Sequence, residues 1–224
     1  MLQRILEPEV MDDVAEAVAY DAMDHTQPNL SFVERLIELG IGRCDKALDL
    51  GTGPGDIPVM LCGPTGGVSV LAVDLAKSML DLAKRKIGLA GLSNRITLAQ
   101  MDVKSLDLPD DCCDALFSNT ILHHIPEPGA MLAEAARVLK PGGLLLIRDL
   151  VRPETKEQLD ALVDQHAGDC DDQQRQLFAD SLHAALTPHE LGGLAQANGL
   201  GDCNVVIDTD RHMSLQRAVM AENF

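Results

Sequence analysis

Ala47-Leu-Asp-Leu-Gly-Thr-Gly-Pro-Gly-Asp-Ile-Pro-Val59 is the stretch whose reading decides the fold. An apolar run (Ala47, Leu48, Leu50) carries a carboxylate, Asp49, and opens into glycines at alternate positions, Gly51, Gly53 and Gly55. Glycine has no Cβ, so such a turn reaches unusual φ/ψ and lets a ligand lie against bare backbone. A helix can begin directly after it. A second apolar run, Val68 to Val73, ends in another acid, Asp74. Strand, glycine turn, helix and acid-tipped strand together make a nucleoside-binding half-unit.

The spacing narrows the nucleoside. A dinucleotide-binding turn reads G-x-G-x-x-G and offers its helix N-terminus to a pyrophosphate. Here the glycines read G-x-G-x-G, and Asp56 stands where the helix starts. A carboxylate there repels a diphosphate and favours a cationic ligand. A nicotinamide-dependent oxidoreductase is therefore the weaker alternative.

Working outward, strand-like runs at 46–50, 68–74, 95–101, 113–119 and 143–150 alternate with helix-like runs at 55–62, 76–90 and 128–139. That alternation predicts a parallel sheet with helices on both faces. Two helices precede it, Glu9 to Ala22 and Leu30 to Leu39, with the polar cluster Tyr20, Asp21, Asp24 and His25 between them. After Leu150 the pattern is helical through 199, in about three pieces. The third opens with Thr187-Pro-His-Glu190, a capping box with proline at the first helical position. Residues 202–207 and 211–219 read as a hairpin around 208–210. The expectation is one α/β domain over 1–224. It has a Rossmann-like, seven-stranded, mostly parallel sheet with an antiparallel C-terminal hairpin strand. Residues 1–45 form an N-terminal helical lid, and 151–199 a helical insertion before the hairpin.

Ligands of open α/β sheets bind outside the carboxyl ends of the strands. Those ends carry Asp49 with the glycine turn, then Asp74, then Asp102-Val103, then Asn119, then Arg148-Asp149. Asp74 can accept from two ribose hydroxyls with its two oxygens. Leu75 and Met79 offer apolar contact to an adenine face. Asp102 can accept from the adenine amino group while the Val103 N–H reaches a ring nitrogen.

This succession over 46–150 resembles the class I S-adenosylmethionine-dependent methyltransferases, whose first motif has the form D/E-x-G-x-G-x-G. Arg137-Val-Leu-Lys-Pro-Gly-Gly143 and Asn119-Thr-Ile-Leu-His-His-Ile-Pro126 look like its small-molecule branch, which includes the quinone-biosynthesis type of C-methyltransferase. The resemblance implies S-adenosylmethionine as cofactor. Asp49, Gly51, Gly53 and Gly55 would hold its methionine moiety, Asp74 its ribose, and Asp102 and Val103 its adenine, with Asn119 lining the pocket. It also implies methyl transfer to a small molecule by in-line displacement. A non-catalytic S-adenosylmethionine-binding protein is the other reading. The flanks 1–45 and 151–224 carry no family motif, so the acceptor stays open.

Composition bounds the rest. A net charge of −17 opposes nonspecific binding to nucleic acid or anionic membranes. The basic cluster Lys84-Arg85-Lys86 reads as a solvated helix face. No apolar run approaches the roughly 20 residues of a membrane span. The start lacks the layout of a secretory signal, and the six cysteines form no C-x-x-C pair. The expectation is a cytoplasmic protein with reduced thiols. Adjacent helical residues diverge by about 100°, so His123-His124 is expected not to chelate, and no metal site is expected. If the acceptor must lose a proton, His25, His124 and Tyr20 are the candidate bases, and the sequence does not choose among them. Arg148, Arg152, Arg211 and His212 near the expected substrate mouth form either a salt-bridged surface or an anion clamp.

Overall fold

The computed structural model describes residues 2–7, 12, 14–22, 24–63 and 67–219. Seven strands form one sheet in the order β3-β2-β1-β4-β5-β7-β6. They are β1 (Lys46–Leu50), β2 (Ser69–Asp74), β3 (Ile96–Gln100), β4 (Cys113–Asn119), β5 (Leu139–Leu150), β6 (Asn204–Ile207) and β7 (His212–Arg217). The first five run parallel. β7 inserts antiparallel between β5 and the edge strand β6. The expected terminal hairpin is thus present and lies beside the fifth strand. That strand begins at Leu139, four residues earlier than its apolar run, because Cys113 pairs with Leu139 ahead of a register shift. Lys140, Pro141 and the two glycines had masked this extension.

The central strands β1, β4 and β5 read as nearly continuous hydrophobic runs because both faces are covered. On one face α2 (Thr26–Glu38), α3 (Asp56–Cys62) and α4 (Lys77–Leu89) bury Phe32, Leu36, Leu61, Ala83 and Ile87 against Ala47, Ala72, Phe117 and Leu146. On the other, α5 (Pro128–Val138) and α8 (Pro188–Ala197) cover Leu48, Leu116, Leu145 and Ile147. With few aromatics the core is largely aliphatic, and Phe32 meets Phe117 edge-on at 6.2 Å.

The expected helical insertion is α6 (Lys156–Ala167), α7 (Asp172–Ala184) and α8. α6 and α7 pack as a pair around Leu159, Val163 and Leu182, against Leu150 at the end of β5. The Thr187 capping box is formed, with Thr187 Oγ1 accepting from Glu190 N–H and the Glu190 carboxylate accepting from Thr187 N–H. A second box at Asp171 and Gln174, which the sequence reading missed, starts α7. At the N-terminal end, α1 spans Val14–Asp21, and the expected start at Glu9 lies outside the described residues. α2 begins at Thr26 rather than Leu30. Pro28 in its first turn is compatible with helix, since that turn's N–H groups lack intrahelical partners.

Phe117 is fully buried between β4 and α2. Phe117→Ala is expected to cost about 3–5 kcal/mol of stability, measured as a lower midpoint in urea denaturation with an unchanged slope.

Candidate functional site

The strand order reverses between β1 and β4, which places a crevice at their carboxyl ends. The turn after β1 fills it. Gly51, Gly53 and Gly55 all have positive φ (72°, 54° and 81°), the left-handed region that favours glycine. The N–H groups of Gly51 and Thr52 both donate to Val73 O at 2.9 Å, locking the turn to the end of β2. A side chain on Gly51 would strike Ile121 at 2.6 Å, and one on Gly55 would strike Ala83. Gly53 differs, because nothing lies within 4 Å of where its Cβ would be. The turn is crowded on its protein side and open at Gly53.

Asp49 lies under this turn, 2% exposed. Its Oδ2 and the Thr52 hydroxyl are both buried without a hydrogen-bond partner among the described residues. Burial, foremost, pushes the Asp49 carboxyl up to about 7. Thr52 nearby pulls it down in part, and Asp74 pushes it further up. No cation stands beside this buried acid among the described residues, so it is free to meet a cationic group.

Asp74 ends β2. Its Oδ2 accepts from Gly53 N–H at 2.8 Å and its Oδ1 from Ala76 N–H at 2.9 Å. The sequence reading gave both oxygens to a ribose. Here each already holds one backbone donor, and the carboxylate keeps its remaining lone pairs for a ligand. Met79 is buried against Ala17 and Ala76, while Leu75 is 38% exposed beside it. Asp102 accepts from the Lys104 N–H and pairs with its ammonium at 3.0 Å, and Val103 is buried. Asn119 ends β4 and accepts from Arg148 Nε at 2.9 Å. The next residue, Thr120, has φ 58°. For a β-branched residue that conformation is strained, and such strain concentrates at functional sites.

α1 packs on the α4 side, where Ala17 meets Ala76 and Met79. Lys86 on α4 bridges Asp21 at the end of α1 to Asp56 at the start of α3, the latter at 2.6 Å. Asp12 accepts from Ser78 N–H in the first turn of α4. Sequence reading took Lys86 for a solvated lysine, and nothing in its spacing could reveal partners 30 and 65 residues away. Tyr20 stacks on His25 at 4.7 Å between ring centroids. Burial, with Asp56 and Asp74 nearby, pushes the Tyr20 hydroxyl up, so it keeps its proton at neutral pH. His25 Nε2 is buried without a partner.

The His123-His124 reading needs correction. The pair sits in a 3₁₀ turn (Leu122–His124) with ring centroids 4.2 Å apart, and both rings turn towards Glu7. His123 Nδ1 meets Asp149 Oδ1 at 2.6 Å and His123 Nε2 lies 3.3 Å from Glu7, while His124 Nδ1 lies 3.0 Å from the same Glu7 oxygen. The side chains therefore do converge, because the tight turn and Glu7, which comes from the far end of the chain, override helical divergence. Burial works against protonation of His123, but the two acids outweigh it and raise its affinity for a proton. Arg152 is also structural, buried and paired with Glu190 at 2.6 Å.

The comparisons with known proteins agree with this geometry. Residues 48–147 match a family model described as a methyltransferase domain. The chain is 31% identical to a ubiquinone/menaquinone biosynthesis C-methyltransferase of Francisella philomiragia, over 54% of this chain and 48% of that protein. It is 29% identical to a demethylmenaquinone methyltransferase of Bacteroides fragilis, over 65% of this chain and 60% of that one. The match covers 100 of the 224 residues, and over it the chain is similar to methyltransferases. The fold extends beyond those residues. A putative S-adenosylmethionine-dependent methyltransferase from Methanococcus maripaludis superposes with a TM-score of 0.70 at 19% identity, over 98% of this chain and 100% of that one. The chain spans about half the length of the Francisella relative.

S-adenosylmethionine is the cofactor of this domain family, and the residues present fit it. The unpaired Asp49 carboxylate suits a cation, and the space at Gly53 suits a ligand lying on backbone. Asp74 retains acceptor capacity at the end of β2. No described helix is long and apolar enough to cross a membrane.

In the ligand-free protein, the raised Asp49 pKa makes stability depend on pH. The folded protein keeps a proton that the unfolded chain releases near the ordinary value of 3.8. Stability therefore falls as pH rises from about 4 to about 7 and levels off above that. Asp49→Asn is expected to flatten this window by as much as a few kcal/mol, measured by urea denaturation across pH.

Proposed function

We propose that this protein transfers a methyl group from S-adenosylmethionine to a small-molecule acceptor. The observation that carries the reading is the buried Asp49 carboxylate, unpaired beneath a glycine turn that is open at Gly53. S-adenosylmethionine, when bound, supplies an electrophilic methyl on a sulfonium, whose neutral leaving group makes in-line displacement easy. The protein's work is then to bind, align and exclude water. Asp49 and the glycine turn hold the cationic methionine end. Asp74 accepts from the ribose hydroxyls. Leu75 and Met79 flank the adenine, and Asp102 and the Val103 N–H read its edge. The α1 lid, tied down by Lys86, closes the pocket over Asp56 and Asp74.

Asn119 stands between this pocket and Arg148, on the side where an acceptor enters. His124 is the base candidate favoured by its surroundings, since it is partly exposed and its Nδ1 lies 3.0 Å from Glu7. The curated relatives are named for methylation in ubiquinone and menaquinone biosynthesis, which supports a small organic acceptor here.

Calorimetric titration tests the reading. S-adenosylhomocysteine is expected to bind at micromolar concentration and NAD not at all. Asp74→Ala is expected to weaken S-adenosylhomocysteine binding at least tenfold, since charge-assisted hydrogen bonds are worth about 1.5–3 kcal/mol. Circular dichroism checks that the sheet stays folded. Binding of NAD alone, or wild-type affinity in Asp74→Ala, would overturn the proposal. Release of S-adenosylhomocysteine in single-turnover assays with candidate acceptors would separate an enzyme from a protein that only binds the cofactor.

A further inference from the structure

Arg148 is a buried cation with no carboxylate at salt-bridge distance among the described residues. It lies at the carboxyl end of β5 and is 8% exposed. Nε donates to Asn119 Oδ1 at 2.9 Å and Nη2 to Pro28 O at 2.8 Å, and both acceptors are neutral. The guanidinium carbon sits 4.9 Å from the Phe32 ring centroid. Among the described residues no carboxylate reaches salt-bridge distance of Arg148, and its Nη1 has no acceptor. The other arginines near this edge differ. Arg152 is paired with Glu190, Arg211 lies against Asp210 and His166, and Arg4 spends its donors on four backbone carbonyls.

Leaving a buried charge unpaired is costly, by several kcal/mol after relaxation. Guanidinium cannot escape by deprotonation at neutral pH. The charged groups acting on Arg148 are of both signs, Asp208 and Arg211, in a protein of net charge −17. His212 is pushed down to about 4 by burial first, then by Arg148 and Arg211, so it adds no charge and relieves none. Asp208 is the nearby acid; it acts on Arg148 through space but lies outside salt-bridge distance, and its carboxylate accepts from the Ser214 hydroxyl at 3.1 Å.

The position is informative. Arg148 pairs in register with Asn119, while Asp49 is in register with Phe117 and Phe117 with Leu146. Asp49, Asn119 and Arg148 therefore project from the same face of the sheet, the one under α2. Strand spacing puts Arg148 about 12 Å from Asp49, two strands over and two residues nearer the carboxyl edge. That is the length of a small molecule beyond the cofactor's cationic end.

We propose that Arg148 binds an oxyanion, a carboxylate or phosphate, carried by the methyl acceptor. The inference rests on the methyltransferase reading for the acceptor's role, and on Arg148 itself for the acceptor's charge. Arg presents a planar fork that suits either oxyanion. With Nε and one Nη2 hydrogen committed to Asn119 and Pro28, the Nη1 edge is the one left to meet it. Asn119 thereby links the two halves of the site, lining the cofactor pocket and holding the guanidinium in place.

The test uses the full chain labelled with 15N-arginine, with and without saturating S-adenosylhomocysteine. Sodium benzoate, inorganic phosphate and the neutral isostere benzamide are titrated at constant ionic strength. The Arg148 Nε–H resonance is assigned by its loss in Arg148→Lys. A saturable shift is expected with benzoate or with phosphate, whichever oxyanion fits, and none with benzamide. Arg148→Gln should weaken that binding tenfold or more, with S-adenosylhomocysteine affinity within twofold of wild type. If Arg148→Gln does not fold, Arg148→Lys keeps the charge but loses the fork and should weaken binding several-fold. An equal response to benzamide, no response to either anion, or wild-type anion affinity in both variants would overturn the proposal. Failure of S-adenosylhomocysteine to bind would instead sink the methyltransferase reading. The titration without it would still report on Arg148.

Discussion

Parallel pairing of β1 with β4 at the middle of the sheet is the constraint on which everything else depends. The chain leaves β1 to build β2 and β3 on one side, then returns to build β4, β5, β7 and β6 on the other. Connections from β1 and β4 diverge, and the space between them cannot be filled by either. The glycine turn, Asp49 and Asn119 all gather there because they are the carboxyl ends of these two strands. The polar atoms left unpaired in that space are the cost of keeping it available for a ligand.

Around this crevice the buried charges fall into two kinds. Most are neutralised internally. Asp149 takes His123 and the backbone N–H groups of Leu122 and His123, and Glu7 completes the far side of the two histidines. Arg4 gathers the carbonyls of His123, Ile125, Pro126 and Ala184. These contacts stitch residues 2–7 across the turn after β4 and onto α7, so one flank of the crevice is braced by the beginning of the chain. Asp49 and Arg148 are the exceptions. One is an acid and the other a cation, each without an opposite charge at salt-bridge distance among the described residues, on the same sheet face and too far apart to satisfy each other. A ligand spanning them would meet complementary charge at both ends.

α1 is held by electrostatics more than by packing. α1 contributes Ala17 and the partly buried Tyr20 to a small apolar contact with Ala76 and Met79. Lys86 supplies the rest, a single ammonium shared by Asp21 and Asp56. Two acids on one cation leave the mouth of the pocket net negative, which suits a cationic cofactor. Small clusters of this kind open more readily than the core.

Local signals in the sequence determined the sheet and its helices. Strand runs, glycine spacing and capping boxes each act over fewer than about ten residues, and both their period and their turn chemistry are visible in one dimension. The placement of Asp49, Asp74, Asp102 and Asn119 at or near the carboxyl ends of strands was legible because the strand runs themselves were. What only the tertiary structure decided were the pairings across long separations. Glu7 turned an apparently divergent histidine pair into a convergent cluster, and Lys86 became a bridge between α1 and α3. Arg152 found Glu190 while Arg148 found none. Whether a charge is paired or left waiting depends on which distant segment folds against it, and no residue spacing along the chain records that distance.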